Sequence, residues 1–360
     1  MIAALGLACW VPVAALGPVE LRGGLVEDAP VESVSVAGVR VGGERPRLIA
    51  WDHVRRFTGD DAGHNTEENL GRAGRAWRAR LRLARGDIQL AGPLFEALHE
   101  EFRGVEGPTA LMVAEGLTRC RFWAGDVAGA IGPWLRAVEL RERGAEIAGD
   151  PPLNPTLDPE TMLIPALPPL LPPGERPGDA PAVVGEAAGA PIASAMRRAA
   201  WRVAGAGWPD EAPAPEAAGH PGVRLLRTMA DALGPDADAR AGARSGLEAG
   251  LSDEDAPAWR EAWLRAALGL SLLREPGEDA HADAVEHLLH LPARFGRAQP
   301  YLAGLALAVV ADHLRGAGRD AEAEILEREL ETRYPRHPAE RWLAERNEAR
   351  RRAPAGPESP

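Results

Sequence analysis

Lysine is absent from this chain, and all 41 of its basic residues are arginine. Alanine, glycine and proline are abundant while asparagine, isoleucine and tyrosine are scarce, the mark of a GC-rich coding bias. Arginine enrichment therefore carries no signal of phosphate binding here. Cysteine is nearly absent: only Cys9 and Cys120 are present, which excludes a disulfide framework or a cysteine zinc site. Cys120 lies among Leu117, Phe122 and Trp123 in a helical pattern and reads as a buried, inert thiol. Net positive charge is also missing. A formal charge of −12 excludes wholesale binding to nucleic acid or to an anionic membrane, which needs a basic surface, and leaves room only for local basic patches. Catalytic signatures are missing as well. No GxSxG elbow, Walker phosphate loop, Rossmann glycine fingerprint or Cys/His pair stands in its required context. The expectation is a protein that is not an enzyme and carries no cofactor.

What is present is an ordinary globular composition, 45% apolar and 26% charged, in 360 residues, enough for more than one domain. The N-terminal run MIAALGLACWVPVAALG is too short to span a bilayer comfortably. Its length and the site Val13-Ala14-Ala15 match the apolar region of a secretory signal cleaved after Ala15. On that reading residues 1–15 are removed and the mature chain is exported to the periplasm or cell envelope with no integral membrane span. No positive charge precedes Arg22, so either the true start lies upstream or this run is a buried strand or helix of the mature fold, which would then be cytoplasmic.

Over residues 16–58 the apolar period is two. Val19–Leu21, Val31–Val36, Val39–Val41 and Leu48–Trp51 read as short strands separated by glycine turns. So many strands in so short a stretch predict a small SH3-like or Sm-like barrel or a meander. It lacks the aromatic and basic face of an RNA binder, so a structural or docking role is expected.

From Glu67 the period becomes helical. Leu70, Ala73, Trp77, Leu81, Ala84 and Ile88 form one apolar stripe, and helix pairs fill residues 67–145. Gly86-Asp87-Ile88 leads to Ala91 as Gly125-Asp126-Val127 leads to Ala130, 39 residues later; Ala284 and Ala323 are also 39 apart. Residues 149–190 are rich in proline, which forbids helix and central strand, so an extended chain is expected. Its Leu157, Met162, Leu163, Ile164, Leu167, Leu170 and Leu171 are too apolar for a free linker and predict a segment lying on a helical surface. Helices resume over 191–350, and 351–360 reads as a disordered tail.

The clearest stretch is Gln299 to Pro338. The apolar run Leu302–Val310 meets the turn Gly316-Ala317-Gly318, then Ala323, Leu326, Leu330 and Tyr334 at helical spacing, ending at Pro335. The glycine turn, the alanine five residues on and the Tyr334-Pro335 exit resemble the tetratricopeptide (TPR) repeat. The resemblance implies a mostly α fold, an α-solenoid of antiparallel helix pairs that bury their apolar faces by stacking. The spacing of 39 exceeds the family's period of about 34, so the connections here are longer.

Two polar patterns are candidate sites. Asp283, His287 and His290, with His281 nearby, share one helical face and could present metal ligands, although an HExxH arrangement is missing. Arg75, Arg78, Arg82 and Arg85 recur at i, i+3, i+7 and i+10 on the first helix and make a basic wall suited to an acidic peptide or a terminal carboxylate. The TPR resemblance implies that first-helix residues hold such peptide ends. The expected function is a non-enzymatic scaffold whose partner is another protein or peptide. The alternative is a metal-binding protein or metal-dependent enzyme using His281, Asp283, His287 and His290.

Overall fold

A computed structural model describes residues 19–27, 29–44, 46–58, 66–147, 157–173, 189–205 and 213–352. The apolar N-terminal run with Cys9, the linker 59–65 and the tail from 353 lie outside them. The chain is mostly α, 65% helical, with a small β region near the N-terminus. Among the described residues no helix is long and apolar enough to cross a membrane. Contacts divide the chain into two compact units, Met1–Cys120 with Gly144–Leu153, and Arg121–Arg143 with Asn154–Pro360.

In the first unit, strands β1 (Val19–Leu21), β2 (Val26–Glu27), β3 (Val31–Ser35), β4 (Gly38–Val41), β5 (Arg47–Ile49) and β6 (Val54–Phe57) make two antiparallel sheets, ordered β2-β1-β6 and β3-β4-β5. This is not a closed barrel, which corrects the barrel expectation. The expected fourth strand stops short of Trp51, which begins a 3₁₀ turn instead (Trp51–His53). Its buried indole N–H turns inward to the carbonyls of Val36 (2.9 Å) and Ser35 (3.2 Å). The chain then leaves β5 and pairs β6 with β1, Val19 opposite Phe57, with a bulge between Glu20 and Leu21. Gly38 can close the β3–β4 hairpin because a Cβ there, at φ +149, would run into the Ile49 carbonyl.

Helices α1 (Glu67–Ala84) and α2 (Ile88–Glu101) pack against each other, and α1 also packs on the 3₁₀ turn and β6. Thr66 caps α1 by accepting from Asn69 N–H at 3.3 Å. The buried face of α1 is Arg72, Ala73, Ala76, Ala79 and Leu83 rather than the expected stripe through Trp77 and Ala84. Three alanines dominate that buried side, while Trp77 and Ala84 of the expected stripe are exposed. Helix α3 (Pro108–Trp123) follows, with Gly116 so close to the Phe95 ring that no Cβ fits.

The second unit contains α4 (Val127–Glu142), α5 (Pro191–Val203), α6 (Pro215–Ala218), α7 (Pro221–Ala232), α8 (Ala237–Leu251), α9 (Ala258–Leu272), α10 (Glu278–His290), α11 (Pro300–Gly316), α12 (Asp320–Arg333) and α13 (Pro338–Arg352). Most contacts run between neighbours: α4 with α5, α5 with α7, α7 with α8, α8 with α9, α9 with α10, and α11 with α10, α12 and α13. A π-helical turn, Leu291–Phe295, leads from α10 toward α11.

Three turns share one hydrogen-bond pattern. The N–H of Asp87, Asp126 and Arg319 reaches back to the carbonyl of Arg82, Arg121 and Leu314, each at 2.9 Å. The preceding Gly86, Gly125 and Gly318 sit at φ +79, +81 and +75, the left-handed residue such a helix ending requires. Ala91, Ala130, Ala284 and Ala323, aligned above by their spacing, are all fully buried.

Residues 157–173 contain neither helix nor strand and are pinned by aromatic side chains of the second unit. The indole N–H of Trp134, Trp263 and Trp342 donates to the carbonyls of Met162 (3.1 Å), Pro165 (3.1 Å) and Pro173 (2.7 Å). Tyr301 Oη donates to the Leu170 carbonyl at 2.5 Å. Along this segment Leu157, Leu163, Ile164, Leu167 and Leu170 are buried.

Candidate protein-binding face

The four arginines of the α1 stripe do not share one fate. Arg75 donates to Glu101 Oε2 at 2.8 Å, and buried Arg72 donates to Glu101 Oε1 at 2.6 Å. Burial pushes the Glu101 carboxyl up, but the Arg75 and Arg72 guanidiniums outweigh it and hold it below the usual carboxylate range. Arg75 therefore ties α1 to the end of α2. Arg80, off the stripe, is also structural, reaching buried Asp52 Oδ2 at 2.6 Å. Arg78 and Arg85 are exposed and, among the described residues, make no side-chain hydrogen bond or ion pair. Among the described residues Arg82 makes one long hydrogen bond, 3.4 Å, to the Leu90 carbonyl.

A fifth cation was invisible in the sequence. The Arg22 guanidinium lies 4.5 Å over the Trp77 ring, a cation–π geometry. Burial lowers its pKa, and the positive charges of Arg55 and Arg78 lower it further against the opposing pull of Asp52. Its Nε is buried with no acceptor among the described residues. Arg22 and Arg78 thus crowd like charge around a tryptophan that is itself 36% exposed. Trp77 and Arg78 are adjacent in sequence, but Arg22 is brought in by the turn after β1, so sequence spacing gave no signal of it.

The histidine face does not converge. His281 Nε2 lies 2.9 Å from the Glu275 carbonyl, and its ring meets His313 edge-on. His287 Nδ1 faces the Arg265 guanidinium at 3.4 Å, while His290 Nε2 lies 3.6 Å from Glu261. Burial, reinforced by the charge of Arg265, holds both His287 and His290 below the usual imidazole range. A fixed guanidinium beside two of the four groups opposes a second cation. Among the described residues, no three His, Cys, Asp or Glu are placed to hold a metal. Cys120 is buried and burial pushes its thiol up to about 11, so it is a poor nucleophile. Trp134 and Trp263 are core, whereas Trp123 is 70% exposed. No family model, no curated protein and no solved structure matches this chain.

Proposed function

We propose that this protein is a non-enzymatic scaffold that holds an acidic segment of another protein on the basic face of α1. The observation that carries the reading is the Arg22–Trp77–Arg78 cluster, in which Arg22 lies over the Trp77 ring and the charge of Arg78 adds to burial and to Arg55 in lowering its pKa against the pull of Asp52. Arg82 and Arg85 extend it along the helix. An acidic side chain arriving there relieves repulsion between like charges and gains charge-assisted hydrogen bonds. Exposed Trp77 and Leu90 (56%) supply the apolar contact that interfaces combine with arginine.

The helix pairs are read as a TPR-like α-solenoid, supported by the three equivalent glycine turns and the four buried alanines. The β region is read as an SH3-like docking module opened into two sheets. Export to the periplasm or cell envelope rests on residues 1–15 alone. Reversing Arg78 and Arg82 to Glu tests the main reading. Partner capture from the native extract should fall at least tenfold, about 1.4 kcal/mol or more, with helical circular dichroism unchanged. Equal capture by wild type and variant would remove the α1 face from consideration.

A further inference from the structure

Helix α10 presents an acidic row to solvent. Asp279, Asp283 and Glu286 are exposed and stand at i, i+4 and i+7, with exposed Glu278 beside the first. Among the described residues none of these four makes a side-chain hydrogen bond or ion pair. Glu278 and Asp279 lie in the first turn, where the helix dipole favours a carboxylate. Asp283 and Glu286 lie beyond it. Asp283 has like-charge neighbours four residues before it and three after, an arrangement that destabilises a helix. Arg265, the cation beside His287, is already paired with Glu261 at 2.9 Å. His281 is turned to the Glu275 carbonyl and the His313 ring. Ala282, exposed between Asp279 and Asp283, adds no bulk to the row.

The basic face of α1 has the same layout with the opposite sign. Exposed Arg78, half-buried Arg82 and exposed Arg85 also stand at i, i+4 and i+7. From Asn69 to Gly86 every charged residue is arginine. Arg82, like Asp283, has a like charge four residues before it and another three after.

At 1.5 Å of rise per residue each row spans about 10.5 Å. The charges fall in the same order along both helices, so three guanidiniums meet three carboxylates when the helices lie parallel. Such a contact relieves like-charge repulsion on both sides and replaces it with charge-assisted pairs. We infer that the α1 face is occupied by the α10 face of a second copy of this chain. The inference rests on the reading of α1 as a basic docking face and names its partner. Two unlike faces meet, so the contact is heterologous and each copy carries both halves of it. Trp77, exposed next to Arg78, adds apolar area.

The experiment is sedimentation velocity on the full chain, from about 1 μM to about 100 μM, at about 0.1 M and about 1 M salt. Wild type should self-associate, at least tenfold more weakly at the higher salt. Asp283→Arg with Glu286→Arg should weaken association at least tenfold, and Arg82→Glu with Arg85→Glu should do the same. A chain carrying all four reversals has opposite signs at every pair again and should associate like wild type. Circular dichroism checks that each variant keeps its helices. A wild type that stays monomeric over that range, association indifferent to the α10 reversal, or no recovery in the fourfold variant would each overturn the proposal. Capture from the native extract separates that failure from failure of the α1 reading. Capture lost on reversing Arg78 and Arg82 but kept on reversing Asp283 and Glu286 overturns the second copy as occupant and leaves the basic face standing. Capture indifferent to the arginines removes both.

Discussion

His337 ties α11 to the start of α13 with one neutral ring. Its Nε2 donates to the Tyr301 carbonyl at 2.9 Å and its Nδ1 accepts from Ala339 N–H at 3.1 Å, while the ring stacks on Tyr301. Gly304 leaves room for it, since a Cβ there would lie 2.5 Å from the imidazole. Only one neutral tautomer satisfies both bonds, and a proton on Nδ1 would destroy the cap of α13. Burial accordingly pushes His337 down to about 4. The folded pKa lies below the unfolded one, so between pH 6.5 and 4 the unfolded chain binds the extra proton. Stability is full above pH 6.5 and falls as pH drops toward 4, by about 3 kcal/mol in all. Urea unfolding of wild type and His337→Asn, which keeps a capping acceptor but cannot titrate, checks this; equal pH slopes would contradict it.

At the scale of elements, the segment 157–173 is held by donors spaced along four helices rather than by a ladder of its own. Trp263→Phe keeps an aromatic ring but removes the N–H that meets the Pro165 carbonyl. The expected loss is about 0.5–1.5 kcal/mol, read from chemical denaturation. Trp123→Ala, on an exposed side chain, serves as the comparison and should change stability by less than about 0.5 kcal/mol. Equal losses for the two would mean that the pin contributes nothing. The collapse of helical pattern over these residues was legible from their prolines, and their leucines marked them for burial. Which aromatics would pin them was not, because Trp134 and Trp342 look like any other helical tryptophan until α4 and α13 are brought beside the segment.

At the scale of the whole molecule, a chain of net charge −12 offers an acidic partner a local basic face against general repulsion. Both are screened, but the attraction acts at contact and the repulsion is spread over the surface. Raising salt from about 0.1 M to 1 M shortens the Debye length from about 10 Å to 3 Å. Capture through α1 should weaken over that range, and the Arg78/Arg82 reversal should flatten the dependence; capture insensitive to salt would point to a mainly apolar interface.

Sequence by itself determined the alternation of strand and helix periods, the left-handed glycine turns and the proline-ruled extended stretch. Each of these follows from backbone dihedrals and local side-chain spacing, which neighbours in the chain decide. Tertiary structure decided which face of α1 is inside, because a helix rich in alanine can bury either side and the packing of α2, the 3₁₀ turn and β6 on it selects one. It also decided that the β region stays open, that the histidines part company, and that Arg22 joins Trp77. These outcomes depend on residues far apart in the chain, whose meeting is set by how the elements pack.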